Sequence, residues 1–307
     1  MEKQKSITVL MSTYNGQKYL REQIDSILCQ EGVSLKLVIR DDGSEDNTVS
    51  IIKDYQSCYD NIELLDVGIN MGACQSFLSL IATDYETDYY ALADQDDIWD
   101  KDKLICAIKL MEKDSNIPLL YYSNLRIVDS NNHYCRLSLN EPCVVKHKYA
   151  YLAESLPTGC TVVYNSKLAE LLFNKIPDNC FMHDAWLYIA ASAFGKCIYD
   201  HEPHINYRQH EQNVVGASKK RYSKKILKRE WNNIFIDKSE PRYKTIKNFY
   251  TLYADLMDND TKEKFRNFIE YKDSVGKLLK VLLDKELNSE NIYRRTRFKI
   301  KLILHRV

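Results

Sequence analysis

Between Ser6 and Ala93, short apolar runs alternate with segments of helical period, and this alternation limits the chain to few folds. Ser6 to Met11, Leu35 to Arg40, Asn61 to Asp66 and Asp88 to Ala93 read as strands. Gly16 to Gln30, Thr48 to Tyr59 and Met71 to Ala82 read as the helices between them, with apolar residues such as Leu20, Ile24 and Ile27 on one face. Strands separated by helices must run parallel and be covered on both faces, so the class is α/β. After Asp114 the pattern loosens. Leu119 to Val128 and Thr161 to Tyr164 read as strands, His183 to Phe194 as a buried helix, and Cys197–Tyr199 and Ile205–Tyr207 as two further short strands. From Lys219 onward the pattern is mainly helical.

Charge divides the chain. Lys+Arg and Asp+Glu are both 43, but Met1–Ala217 carries 19 basic and 31 acidic residues while Ser218–Val307 carries 24 basic and 12 acidic. The expected organisation is therefore a domain over 1–217 and a basic, mainly helical region over 218–307. Overall neutrality argues against a nucleic-acid partner. The basic region points to an anionic one: Lys219–Asp237 and Tyr293–Val307 place Lys and Arg opposite apolar residues such as Trp231 and Phe298, a pattern suited to an anionic membrane surface. The bland alternative is a packed helical appendage with solvated cations. The first apolar run is too short for a signal peptide, and the nine cysteines are scattered without a Cys-x-x-Cys pair. A cytoplasmic chain, peripheral on the inner face of the cell membrane, is expected.

In open α/β sheets, ligands bind beyond the carboxyl ends of the strands. The first such loop, Ser12-Thr13-Tyr14-Asn15-Gly16, lacks the glycines of a dinucleotide fingerprint and the lysine of a P-loop. Its aromatic ring and hydroxyls suit a base and a ribose. The second is Asp41-Asp42-Gly43-Ser44, a turn by composition but aligned with the first. The third, Asp94 to Asp102, holds five carboxylates in nine residues. Asp100 and Asp102 are explained by the start of a helix near Lys101. Asp94 and Asp96 are not, and clustered oxygen ligands suit Mg²⁺ or Mn²⁺. Asp184 caps an apolar helix or serves as a general base. In Arg208-Gln209-His210 a cation suits phosphate, and a neutral imidazole suits a metal.

The ordered set ITVLMSTYNG, RDDGSEDNT, NMGACQSF, ALADQDDIWD, TGCTVVYN, HDAWLYIAASAFGK and YRQHEQNVVGA resembles a family 2 glycosyltransferase of the GT-A fold, in the bacterial rhamnosyltransferase-like branch. That resemblance implies a Rossmann-like, mostly parallel sheet flanked by helices, with a C-terminal helical extension. It implies that Ser12, Thr13 and Tyr14 line the nucleotide, with Asp41, Asp42, Asn70, Gly72 and Asp94 beside it. Asp96, with His210, would hold Mn²⁺ or Mg²⁺, and Asp184 would be the catalytic base of an inverting transfer. One departure is that the usual acidic pair at the base position is His183-Asp184 here. The implied reaction moves a sugar, expected to be L-rhamnose from dTDP-rhamnose, to a lipid-linked glycan acceptor of a surface polysaccharide. A UDP-hexose donor, or a non-catalytic nucleotide-binding scaffold, is the alternative.

Overall fold

The computed structural model describes residues 4–65, 67–139, 148–175, 177, 180–210, 232 and 239–307. Its first half follows the expected alternation: β1 (Lys5–Thr13), α1 (Leu20–Leu28), β2 (Val33–Asp41), α2 (Thr48–Cys58), β3 (Ile62–Leu64), α3 (Ala73–Ile81) and β4 (Tyr89–Ala93). The middle strands of this set are buried almost throughout: Val9, Leu10, Met11, Leu37, Val38, Ile39 and Ala91 to Ala93 exclude solvent entirely. Continuous apolar strands of this kind are what a sheet covered on both faces requires.

Next come β5 (Ile98–Trp99), α4 (Lys103–Met111), β6 (Leu119–Val128), β7 (Tyr134–Leu137), β8 (Val163–Asn165), α5 (Ser166–Leu172), α6 (His183–Phe194) and β9 (Lys196–Arg208). Among the described residues the strands form one sheet in the order β3-β2-β1-β4-β8-β6-β9-β5, with β7 on the outside of β6. The pairs β1–β2, β1–β4, β2–β3 and β6–β9 are parallel. β4–β8, β6–β8, β6–β7 and β5–β9 are antiparallel. The sheet is thus mixed: the longest ladders are parallel, and the reversals come where β8 enters between β4 and β6 and at the short strands β5 and β7. The two short strands expected near 197–207 are one strand, β9, which follows β6 through two register shifts rather than breaking.

Packing separates two units. The first comprises Met1–Cys143, Pro157–Ile176 and Phe194–His210; the second Val144–Leu156, Pro177–Ala193 and Glu211–Val307. This division does not follow the charge boundary at residue 217, because α6 belongs with the C-terminal helices. Those are α7 (Pro241–Tyr253), α8 (Asn259–Ile269), α9 (Val275–Leu283) and α10 (Ile292–Ile303). The reason is apolar: α6 buries Trp186 edge-on against Phe249 at 5.1 Å, and Phe249 stacks on Tyr253 at 4.5 Å. Such aromatic pairs add about 0.5–1.5 kcal/mol each beyond the area they bury.

Of the expected membrane face, α10 turns Phe298 and Leu302 into this unit while Ile292, Tyr293 and Ile303 stay exposed. Lys219–Asp237 lies outside the described residues apart from residue 232. Among the described residues no helix is long and apolar enough to cross a membrane. The described cysteines are all free thiols.

Candidate active site

The sheet order sends the chain outward from β1 to β3 and back to β4, so the direction of winding changes between β1 and β4. A crevice opens at the carboxyl ends of strands at such a switch point. Register fixes which loops meet there: Thr13 pairs with Asp41, and Met11 with Ala93. The three loops singled out from the sequence are therefore neighbours in the first unit.

Side-chain hydrogen bonds tie them together. Asp41 is fully buried, and its carboxylate accepts from Thr13 Oγ1 at 2.8 Å and from Ser44 N and Oγ at 2.8 and 2.7 Å. It shapes the turn. Asp42 accepts from Arg40 Nη1 at 2.6 Å and from the amides of Met71 and Gly72, each at 2.9 Å, which fastens the Asn70–Gly72 loop beside it. Asn70 Oδ1 also takes the Gly72 amide, at 3.1 Å. Ser12 Oγ lies 2.6 Å from Ser76 Oγ, and Ser76 Oγ accepts from Arg40 as well. Asn15, in left-handed backbone, donates its amide N–H to Ser44 Oγ at 2.8 Å, and its Oδ1 accepts from Glu45 N at 2.9 Å.

Arg40 and Gln95 are the residues that sequence reasoning missed. Gln95 accepts from Tyr14 N at 2.9 Å and donates to Tyr14 O at 3.0 Å, so the third loop clamps the first. Its amide fills the space where a Cβ on residue 16 would stand, 2.2 Å from that point, which is why Gly16 is required. The ring of Tyr14 remains about half exposed at this rim.

The acidic run resolves into separate tasks. Asp96 is nearly buried, with Oδ2 2.7 Å from His210 Nε2. Burial pushes its pKa up, and the His210 contact pulls it back. His210 in turn stacks on Tyr19 at 4.9 Å. Arg208 does not present a free cation to phosphate: Nε donates to Asp96 O, Nη1 to Ser130 O and Nη2 to Glu22. Asp97 is completely buried and accepts the Arg208 amide at 3.0 Å. Burial drives its pKa well up, helped by the neighbouring charges of Asp96 and Asp94. Beside it the buried Lys103 has its pKa pulled down to about 7 by desolvation, its Nζ 3.7 Å from the centre of the Trp99 ring.

Neither Asp100 nor Asp102 caps the helix by its side chain, contrary to the expectation from spacing. Asp100 pairs with Arg126 at 2.5 Å, and Asp102 occupies the position before α4 without a side-chain capping bond. Among the described residues two groups of three ligand-type side chains converge closely, Asp94–Asp97–Cys160 and Asp102–Cys106–His204. In the first, Asp97 and Cys160 are buried, and burial raises the Cys160 pKa well above the ordinary thiol range.

The first unit thus gathers Ser12, Thr13, Tyr14, Asp41, Asp42, Asn70, Gly72, Asp94, Asp96 and His210. Asp184 belongs to the second unit, in the first turn of α6, where Oδ1 accepts the Ala185 amide at 2.6 Å. Its neighbour His183 is buried and held neutral, its pKa lowered to about 3 by desolvation.

A mixed, doubly wound sheet flanked by helices, with three strand-end loops meeting at its switch point, is the architecture of the GT-A fold. Solved structures agree at the level of fold. S. aureus TarS in complex with UDP-GlcNAc matches with a TM-score of 0.53 at 14% identity, over 97% of this chain and 89% of that one. Mannosyltransferase PcManGT from Pyrobaculum calidifontis, in complex with GDP-Man and Mn²⁺, matches with a TM-score of 0.51 at 14% identity, over 99% and 86%. Residues 8–173 match the family model for glycosyl transferase family 2, and the chain belongs to that family. Among curated relatives, dTDP-rhamnosyl transferase RfbG of Shigella flexneri is 35% identical over 224 residues, 68% of this chain and 74% of RfbG.

Proposed function

We propose that this glycosyltransferase moves L-rhamnose from dTDP-rhamnose to a lipid-linked glycan acceptor, with inversion at the anomeric carbon, in the synthesis of a bacterial surface polysaccharide. The meeting of three strand-end loops at the switch point, one of them carrying the Asp96–His210 contact, is the observation that supports the donor site. The similarity to a dTDP-rhamnosyl transferase supports the choice of donor. On this reading residues 1–217 carry the transfer chemistry, and the basic region 218–307 keeps the protein at the cytoplasmic face of an anionic membrane.

In the donor complex Ser12, Thr13 and Tyr14 line the base, with Tyr14 against its face, Asp94 at the ribose side, and Asp42 and the Asn70–Gly72 loop bordering the base. The Asp96–His210 pair fits a hard divalent ion: Asp96 offers carboxylate oxygens at a strand end, and an imidazole nitrogen lies 2.7 Å from one of them. A cation would also offset the cost of burying the Asp96 carboxylate, the cause of its raised pKa. Asp96 and His210 would hold Mn²⁺ or Mg²⁺, which when bound supplies Lewis-acid neutralisation of the leaving diphosphate. Asp184 takes the proton from the acceptor hydroxyl as that oxygen attacks the sugar.

The test is a pair of measurements on purified protein. Thermal-shift titration with dTDP-rhamnose and with UDP-hexoses in the presence of Mn²⁺ should show stabilisation by dTDP-rhamnose at the lowest concentration. Asp184→Asn should lower turnover by about 10²-fold or more while leaving dTDP affinity unchanged. An equal loss of nucleotide affinity would show that Asp184 is structural, and preferential stabilisation by a UDP-sugar would reassign the donor.

A further inference from the structure

The second unit contains a cavity of about 360 Å³, within the ~300–1,000 Å³ range of small-ligand sites. Four cationic side chains line it: Arg242 from α7, and Arg294, Arg297 and Lys301 from α10. The α10 positions are spaced by three and four residues, so one helical face delivers all of them. A single acidic side chain, Glu154, stands among them, accepting from Arg294 at 3.2 Å and from Ser289 Oγ at 2.9 Å. The side chains of the lining therefore carry more positive than negative charge, and Val307 also borders the cavity. Phe181 and Phe298 supply apolar wall.

A solvated basic helix face accounts for Arg294, which is exposed and paired. It does not account for Arg242. Among the described residues its guanidinium donates to the Tyr151 carbonyl at 3.4 Å, a long contact for a group with five donors. Burial lowers its pKa to about 10, and Arg297 adds to the effect against the opposing pull of Glu154. Ser155 Oγ, also at the cavity, is buried with no hydrogen-bond partner among the described residues. A desolvated cation and an idle hydroxyl beside further cations are costly unless an anion joins them.

We propose that this cavity binds a phosphorylated anion of the diphosphate class, held by Arg242, Arg297, Lys301 and Ser155, with Phe181 and Phe298 against whatever apolar group the anion carries. Guanidinium forks match carboxylate and phosphate alike. Charge decides between them: a carboxylate offsets one cation, whereas a phosphate monoester carries about −1.5 to −2 and a diphosphate more. All the residues lining the site belong to the second unit.

Isothermal titration of the full chain with inorganic diphosphate tests it, with Arg242→Gln/Arg297→Gln and Asp96→Ala as variants. Wild type and Asp96→Ala should bind alike, and the arginine variant should bind about tenfold more weakly or worse, ~1.4 kcal/mol. Its nucleotide binding should be unchanged, which separates failure here from failure of the donor-site reading. Thermal unfolding checks that it folds; should it not, Lys301→Glu, which leaves the half-buried Arg242 in place, carries the same expectation.

Vesicles of phosphatidylcholine with and without phosphatidic acid distinguish the sources. Retention on phosphatidic acid, competed by diphosphate, assigns the anion to a lipid, and soluble binding alone assigns it to a free ligand. No binding by wild type, loss in Asp96→Ala, or an unchanged affinity in both cavity variants would overturn the proposal.

Discussion

Gly16→Ala isolates the link between the first and third loops. A Cβ at residue 16 would stand 2.2 Å from Gln95 Oε1 and 2.5 Å from its Cδ, so the amide must leave. Its departure breaks the bonds to Tyr14 N and Tyr14 O, at 2.9 and 3.0 Å. A net hydrogen bond contributes about 0.5–1.5 kcal/mol, and both of these are partly solvated, so a loss of about 1–2 kcal/mol is expected. Gly16 does not occupy left-handed backbone, so alanine brings no conformational strain of its own. In a Gln95→Ala background the same substitution should therefore cost nothing, and is expected to gain about 0.4–1 kcal/mol by restricting the unfolded chain. Urea unfolding of the four proteins in the cycle gives the coupling energy directly. Nucleotide titration should report a parallel loss of affinity, because the freed segment carries Tyr14. If Gly16→Ala were equally destabilising with and without Gln95, the clamp would not be the reason for the glycine.

Gly195→Ala should be more damaging, because its Cβ would meet the backbone of Pro118, 1.8 Å from the carbonyl oxygen that accepts the Lys196 amide and starts the β6–β9 ladder. A loss of about 1–3 kcal/mol by urea unfolding is expected, and a neutral result would count against the described register. His183 makes the protein acid-sensitive. Folding lowers its pKa from 6.5 to about 3, so only the unfolded chain takes up the proton in that window. Stability is unaffected above pH 6.5 and falls by about 1.4 kcal/mol per unit as pH drops below it. His183→Phe should flatten this limb in urea midpoints measured from pH 7 to pH 5, and a persistent slope would assign it elsewhere. Asp96→Ala should abolish the response of donor hydrolysis to added Mn²⁺ or Mg²⁺; an ordinary metal titration would refute the ligand assignment.

Periodicity made the first half of the fold legible because each strand there is buried on both faces and each helix pays its way with one apolar stripe. Val9 to Met11 and Leu37 to Ile39 could belong to nothing but the interior of a covered sheet. The second half hid its pairing. β9 reads as two short strands because His201, Glu202 and Pro203 interrupt its apolar pattern, yet the chain stays extended by shifting register against β6. The packing of α6 was hidden for another reason: an apolar helix announces burial but not its partner, and the Trp186–Phe249 contact joins residues 63 positions apart in the sequence. Arg40 and Gln95 left no signal because each acts through contacts between loops rather than through a motif.

The acidic run shows where sequence and structure divide the work. Five carboxylates between Asp94 and Asp102 are chemically near-equivalent on paper, and burial separates them. Asp97 is fully buried and accepts the Arg208 amide on one oxygen, so the end of β9 is fixed against the third loop. Asp100 is drawn to Arg126 on β6, and Asp102 faces His204 at 3.6 Å. Each of these three secures β9 or β6 around the run. Asp96 is different, because its backbone carbonyl is held by Arg208 while its carboxylate meets the imidazole of His210, two residues further along. One short segment thus anchors Asp96 from behind and supplies the nitrogen in front of it. That arrangement predetermines the distance between the two groups before any ligand arrives, which is the preorganisation a site needs when charge must be stabilised without rearrangement.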